Sequence, residues 1–258
     1  MNTEKYTKRI YNKFGKQYQD TRDKKSINRI YNEYLELPNM IKAAGKIKNK
    51  KLLDIECGAR IHIKKYLKKG AIVSGLDISR TMLDLAKERV PSVQFKLGSI
   101  NKIPFDSSYF DIITASLIID YINNLDKAFK EVARVLKKGG LFYYSNESMF
   151  CSARGFYEDK NVSVKGIGHY KNKKTGKIVF FGDAFQEGLV KWDMLPGMDM
   201  YTYHKTFRTQ LKSLINAGFE LIDLIDCKPT YGFKKRDSIQ HERFSKLPLF
   251  TIFVVRKK

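Results

Sequence analysis

The sequence predicts an α/β fold: a doubly wound, mostly parallel sheet with helices on both faces. Three observations predict it. Short apolar runs of strand length recur at Leu52–Ile55, Ala71–Leu76, Val93–Leu97, Phe110–Ala115 and Leu141–Ser145. Segments of helical periodicity separate most of them, and the connections are short, which is the rhythm of βαβ units. With 258 residues the chain can bury a full core, as one large domain or one with an inserted cap.

Residues 1–48 carry helical spacing and no strand pattern. Tyr6, Ile10, Phe14 and Tyr18 recur every four residues, Ile30, Tyr34 and Leu35 form a second apolar face, and Pro38 opens a helix that ends near Gly45. Tyr11 and Tyr18 are placed to line a pocket or to pack. The stretch from Leu52 to Asp77 organises the rest of the chain: a strand carrying Asp54, a tight Cys57-Gly58 turn, a short helix stopping at Gly70, and a strand closed by Asp77. An acid ending the second strand sits where nucleotide-binding folds hydrogen-bond a ribose, which suggests a nucleoside-containing cofactor.

Ser79 reads as the N-cap of a helix through Met82, Leu83, Ala86 and Val90 that stops before Pro91. A loop spans residues 101–108. Leu125, Ala128, Phe129, Val132 and Val135 mark an amphipathic helix, with stop signals at Lys137-Lys138-Gly139-Gly140. Residues 147–203 break the rhythm and read as an insertion of short strands over a pocket. Phe207, Leu211 and Leu214 mark a last helix closed by Gly218, before strands at Phe219–Asp226 and Leu249–Val255. Joined by a loop, these two strands form a hairpin whose final strand runs antiparallel to the rest.

Composition narrows the function classes. Apolar content of 43% and a net charge of +22 describe a globular, lysine-rich chain. Charge of that sign draws in phosphates, yet the lysines are spread along nearly the whole chain, with short clusters at 64–69, 171–177 and 234–236. No apolar run approaches the roughly 20 residues of a membrane span, and no signal peptide is evident. Three widely spaced cysteines argue against disulfides or a zinc site and favour a reducing, cytoplasmic setting. No HExxH, GxSxG or paired-cysteine motif appears, so no metal centre or hydrolase is expected. In a doubly wound sheet ligands bind beyond the carboxyl ends of the strands. The positions of interest are therefore residues 56–60, Asp77, Ser99-Ile100, Ser116-Leu117 and Asn146-Glu147.

The order of elements resembles the class I S-adenosylmethionine-dependent methyltransferases, a Rossmann-like family with a seven-stranded sheet and an antiparallel last strand. The likeness is closest to the small-molecule branch that includes ubiquinone and menaquinone biosynthesis methyltransferases. The residues that carry it are LLDIECGAR, VSGLDISRTMLDLAKER, FKLGSINKIPFDSSYFDIITASLII, ARVLKKGGLFYYS, YHKTFRTQLKSLINAGFE and PLFTIFVVRK. The resemblance implies an N-terminal helical lid over 1–48, a cofactor-binding core over 49–146 and a small substrate-cap insertion after strand five over 147–203. Residues 204–258 complete the core. It implies S-adenosyl-L-methionine as cofactor and S-adenosyl-L-homocysteine as product. Asp77 would accept the ribose hydroxyls, Ile78 and Met82 would pack on adenine, and the backbone around Ser99 and Ile100 would meet its edge. Cys57 and Gly58, with neighbouring Asp54 and Glu56, would face the methionine part, Tyr18 would close over the sulfonium, and Ser116 would complete the set.

Three departures stand out. The family's first motif carries glycines where this chain has Glu56 and Arg60; these two could pair with each other, obstruct the seat, or leave Arg60 in solvent. Ser99 stands where the family places an acid that accepts from the adenine amino group, a loss of about 0.5–1.5 kcal/mol. Asp120 replaces a frequent histidine. Methyl transfer is an in-line displacement in which the protein mainly positions the reactants, with a base only where the acceptor must lose a proton. His204 and Asp120 are the catalytic candidates, with His169 and Glu147 behind them. The expected function is methyl transfer to an O, N or C atom of a small molecule. The alternative is a catalytically silent methyltransferase-like binding or regulatory protein. RNA methylation ranks third, because Ser116-Leu117-Ile118 lacks the Asn/Asp-Pro-Pro-aromatic turn of base-amino methylation. Monomer and homodimer both remain open.

Overall fold

The computed structural model describes residues 2–23, 27–59, 61–153 and 167–258. Arg60 and part of the 147–203 insertion lie outside the described residues, so the expected Glu56–Arg60 arrangement does too. Helix α1 (Thr3–Asp23) is followed by α2 (Ile27–Tyr31), a π-helical turn (Asn32–Glu36) and α3 (Leu37–Ala44). Pro38 accounts for a local arrangement here. It has no N–H to give the Tyr34 carbonyl, which instead accepts from the Thr230 N–H and hydroxyl at 3.0 and 2.9 Å.

The core then alternates: β1 (Lys51–Ile55), α4 (Ile61–Lys68), β2 (Ile72–Asp77), α5 (Arg80–Arg89), β3 (Gln94–Leu97), β4 (Phe110–Ser116), α6 (Leu125–Val135) and β5 (Leu136–Glu147). After the short α7 (Met149–Ser152) come two antiparallel hairpins, β6 (Gly168–Lys171) with β7 (Ile178–Phe181), and β8 (Gly188–Leu195) with β9 (Met198–His204). The chain closes with α8 (Phe207–Asn216), β10 (Phe219–Asp226), α9 (Tyr231–Lys234), α10 (Ser238–Lys246) and β11 (Phe250–Lys257). The main sheet has seven strands in the order β10, β11, β5, β4, β1, β2, β3. All neighbours are parallel except β11, which runs antiparallel to both β5 and β10. Strand order therefore reverses between β1 and β4, the switch point where such sheets bind ligands.

Two expectations need correction. Between β10 and β11 the chain forms α9 and α10, where a loop was expected. Asp237 caps α10 by accepting from the Gln240 N–H at 2.9 Å, and Phe233 and Phe244 pack on Tyr31 with ring centroids 5.8 and 5.7 Å away. Helix α6 ends at Val135, and residues 137–140 belong to β5. There Lys137 reaches back to Asp111 at 2.7 Å and Gly139 turns with φ 73°.

Aromatic packing fills one face of the sheet. Tyr144 and Phe253 on neighbouring strands stack with centroids 4.6 Å apart, and Phe207 of α8 meets Phe253 edge-on at 5.6 Å. Phe129 of α6 adds a third layer, 5.6 Å from Tyr144. Phe253 is fully buried. Replacing it by alanine removes the ring that locks β11 to β5 and α8, and is expected to cost about 3–5 kcal/mol. Urea unfolding of wild type and Phe253→Ala checks this; an unchanged midpoint would contradict the packing.

Candidate active site

Buried Asp77, at the end of β2, gathers the loops on either side of it. One carboxylate oxygen accepts from the Gly58 N–H and the other from the Ser79 N–H, both at 2.8 Å. Gly58 makes its bond from a left-handed conformation (φ 53°), which glycine adopts without strain. Glu56 also lies at positive φ, 52°, and its carboxylate accepts from the Ile78 N–H at 3.1 Å. Its side chain thus folds onto the start of the next loop. Burial raises the Asp77 carboxyl to about 6; the Ser79 and Gly58 N–H groups oppose the shift, and the Asp54 charge adds to it. Burial, followed by the Asp77 charge, raises Glu56 well above the carboxylate range. Asp54, at the end of β1, is raised to about 6 by burial, against a 2.7 Å hydrogen bond from the Thr114 hydroxyl.

A second buried cluster lies at the ends of β4 and β5. Glu36 is wholly enclosed; one of its oxygens accepts from the Ser116 and Ser145 hydroxyls at 2.9 and 2.8 Å, and the other meets His62 Nε2 at 2.8 Å. Burial alone would raise Glu36, but the His62 charge and these hydrogen bonds outweigh it and hold its pKa low. Burial pulls His62 down while Glu36 raises it, and the net direction is up. The Ser116 hydroxyl, expected to serve the cofactor, is therefore turned to Glu36.

These strand ends open on a cavity of about 920 Å³. Asp54, Glu56, Cys57, Gly58, Asp77, Ile78, Met82, Ser99 and Ser116 all line it, whereas Ile100 is sealed in the hydrophobic core. The Ser79 side chain caps α5 on the Met82 N–H at 3.3 Å and donates to Asn12 Oδ1 of α1 at 2.8 Å, so α1 is pinned beside the cavity. Tyr18 and Tyr11 of α1 meet edge to face at 5.5 Å and line the cavity with Tyr121, Trp192, Met194 and Tyr203. Asp120 lies there too, on a 3₁₀ turn, accepting from the Glu147 N–H at 3.2 Å. His204 borders the cavity with both ring nitrogens engaged, Nδ1 on the Ser152 hydroxyl at 2.7 Å and Nε2 on the Ala184 carbonyl at 3.0 Å. A carbonyl only accepts, so Nε2 donates to Ala184. His169 is exposed on the β6–β7 hairpin, against Phe180, and does not line the cavity.

Sequence reasoning missed Glu36, His62, Tyr121, Trp192 and Tyr203. The alternating aromatic pattern of 192–204 was a usable signal for the last two. Glu36 and His62 carried none, because their pairing arises only when α4 and the π-helical turn meet over the sheet.

Comparison with known proteins decides the family. A methyltransferase domain matches residues 53–144. A ubiquinone/menaquinone biosynthesis C-methyltransferase from Campylobacter jejuni is 30% identical over 213 residues, covering 78% of each chain. The chain belongs to the S-adenosylmethionine-dependent methyltransferases. A demethylmenaquinone methyltransferase from Renibacterium salmoninarum is 33% identical over 161 residues, covering 59% of this chain and 68% of its own. A solved methyltransferase from Mesorhizobium loti superimposes with a TM-score of 0.70 at 23% identity, over 85% of this chain and 96% of its own, and shows the same fold. The residues present fit the cofactor. Asp77 retains acceptor capacity beyond its two backbone bonds, and the Glu56 side chain, drawn to Ile78, leaves the cavity open.

The buried Glu36–His62 pair has its own pH signature. A lowered Glu36 stabilises the fold above its unfolded pKa near 4.3 and loses that contribution as pH falls; a raised His62 stabilises below about 6.5 and loses it as pH rises. The stability gap between wild type and Glu36→Gln should peak between roughly pH 4.5 and 6.5, at about 3–5 kcal/mol, and narrow on either side. Denaturant titrations across that range test it; a gap independent of pH would contradict the ion pair.

Proposed function

We propose that this methyltransferase acts on an O, N or C atom of a small, largely apolar, ring-bearing molecule. The observation that carries the reading is the aromatic lining contributed by α1 and the β8–β9 hairpin opposite the strand ends. Tyr18, Tyr121, Trp192 and Tyr203 offer flat apolar surface with polar tips, suited to an aromatic or quinone-like ring. The quinone-pathway relatives support the same class. In this reading residues 1–48 form the lid, 49–146 hold the cofactor, 147–203 cap the acceptor and 204–258 complete the sheet.

Asp77 takes the ribose hydroxyls through its remaining lone pairs, while Ile78 and Met82 flank the adenine and the backbone near Ser99 and Ile100 meets its edge. Cys57 and Gly58 approach the methionine part, with Asp54, Glu56 and Ser116 around them, and Tyr18 closes over the sulfonium. When bound, the cofactor supplies a methyl group activated by its positive sulfur. The chain's own task is then to align the acceptor, exclude water and remove a proton where the acceptor carries one. Asp120 takes that role in this reading; its carboxylate borders the cavity and accepts from the Glu147 N–H. With both ring nitrogens engaged, His204 serves better to hold the β9 end against α7.

The test is transfer of isotope-labelled methyl from S-adenosylmethionine to a panel of hydroquinones, phenols, aliphatic amines and tRNA. Label is expected on ring-bearing small molecules, with Trp192→Ala raising KM more than it lowers kcat. Label confined to tRNA would overturn the reading.

A further inference from the structure

Ser99, after β3, stands where the resemblance places an acid, and the N-terminal helix brings a carboxylate to the same loop. Ser99 is short, and its hydroxyl oxygen accepts from the Asn101 N–H at 3.1 Å, so the side chain is turned along its own loop. Glu4, in the first turn of α1, reaches the same loop through Asn101. Glu4, Ile78 and Ser99 border the main cavity and also an adjoining recess of about 220 Å³ that reaches Gly98.

The Glu4 carboxylate is held in place. It accepts from Asn101 Nδ2 at 2.6 Å, which orients that amide and leaves Asn101 Oδ1 buried with no partner among the described residues. Helix α1 itself is fixed to α5 through Asn12 and Ser79, and to β9 through the Tyr6 hydroxyl on the Asp199 carbonyl at 3.1 Å. A first-turn acid suits the helix dipole wherever it points. That does not account for an amide spent on holding it over the cavity. Nor does it account for a third carboxylate beside Glu56 and Asp77, with no ion-pair partner among the described residues. A ligand that donates hydrogen bonds relieves both.

We propose that Glu4 accepts the hydrogen bond of the adenine 6-amino group, doing from the N-terminal helix what an acid at position 99 would do from the sheet. This rests on the adenosine seat around Asp77. It makes the lid a reader of the cofactor as well as a cover: the amino group is recognised only when α1 lies against α5.

Calorimetric titration of the full chain and its variants with S-adenosylhomocysteine and with S-inosylhomocysteine tests this: the inosyl compound replaces the amino donor with an oxo acceptor, and its second change, N1 from acceptor to donor, is met alike by wild type and variants, so the Glu4 contribution is read from their difference. Wild type should bind the adenosyl compound at least about tenfold more tightly, since the carboxylate has nothing to donate to the oxo group. Glu4→Gln, whose amide can turn either way, should lose the part of that preference that the 6-position sets, narrowing it several-fold with an unchanged melting temperature. Adding Ser99→Asp to Glu4→Gln should restore it. Equal binding of the two compounds by wild type, or full discrimination retained in Glu4→Gln, would overturn the role of Glu4. Failure of wild type to bind S-adenosylhomocysteine at all would instead remove the seat itself. A Glu4→Gln that does not fold leaves the wild-type comparison and Ser99→Asp to decide: the added acid should sharpen the preference little if Glu4 already accepts, and greatly if it does not.

Discussion

The bonds made by the Asp77 carboxylate are the constraint on which the site depends. Two N–H groups from different loops converge on one side chain, Gly58 after β1 and Ser79 before α5. Each bond alone is worth little net, but a buried carboxylate without them would be costly, so the loops and the acid stabilise one another. The same bonds draw the β1–α4 turn against β2 and leave further lone pairs facing the cavity. Burial disfavours the ionised forms of Asp54, Glu56 and Asp77, and the Asp77 charge adds to the effect at Glu56 and the Asp54 charge at Asp77.

A second constraint holds the N-terminal helices to the sheet. Glu36 binds side chains from α4, β4 and β5, segments far apart in sequence, and the Tyr34 carbonyl just before it accepts from Thr230. The π-helical turn that carries Glu36 is therefore tied both to the sheet and to Thr230. Through Asn12 and Ser79 the first helix is tied to the start of α5 as well. The aromatic residues of α1 consequently face the strand ends in a defined position, and the β8–β9 hairpin packs on them through Met198 and Met200.

Much of this was legible in the chain. Apolar runs of strand length, the Ser79 cap, the Gly58 turn and the acid closing β2 are local signals, and each marks the element or position at which it is found. The connection between β10 and β11 was misread because Phe233 and Phe244 look like scattered loop aromatics until Tyr31 is beside them. Residues 137–140 look like a helix stop, yet Lys137 is recruited by Asp111 on the neighbouring strand. The Glu36–His62 pair and the Glu4–Asn101 contact join residues that no periodicity relates. Glu56, at a position where the family carries glycine, adopts the left-handed backbone that glycine favours and turns its carboxylate to the Ile78 N–H, a bond that no local pattern announces.

The account centres on Asp77 as an acceptor, and the isosteric Asp77→Asn tests that directly. The amide keeps the shape and loses the charge, and only one of its two polar atoms can accept the N–H bonds that both oxygens accept now. Calorimetric titration with S-adenosylhomocysteine should show saturable binding to wild type and at least about a hundredfold weaker binding to the variant, with the fold intact by circular dichroism. Equal affinity for the two proteins would contradict the account, since the cofactor would then be held by something other than this carboxylate.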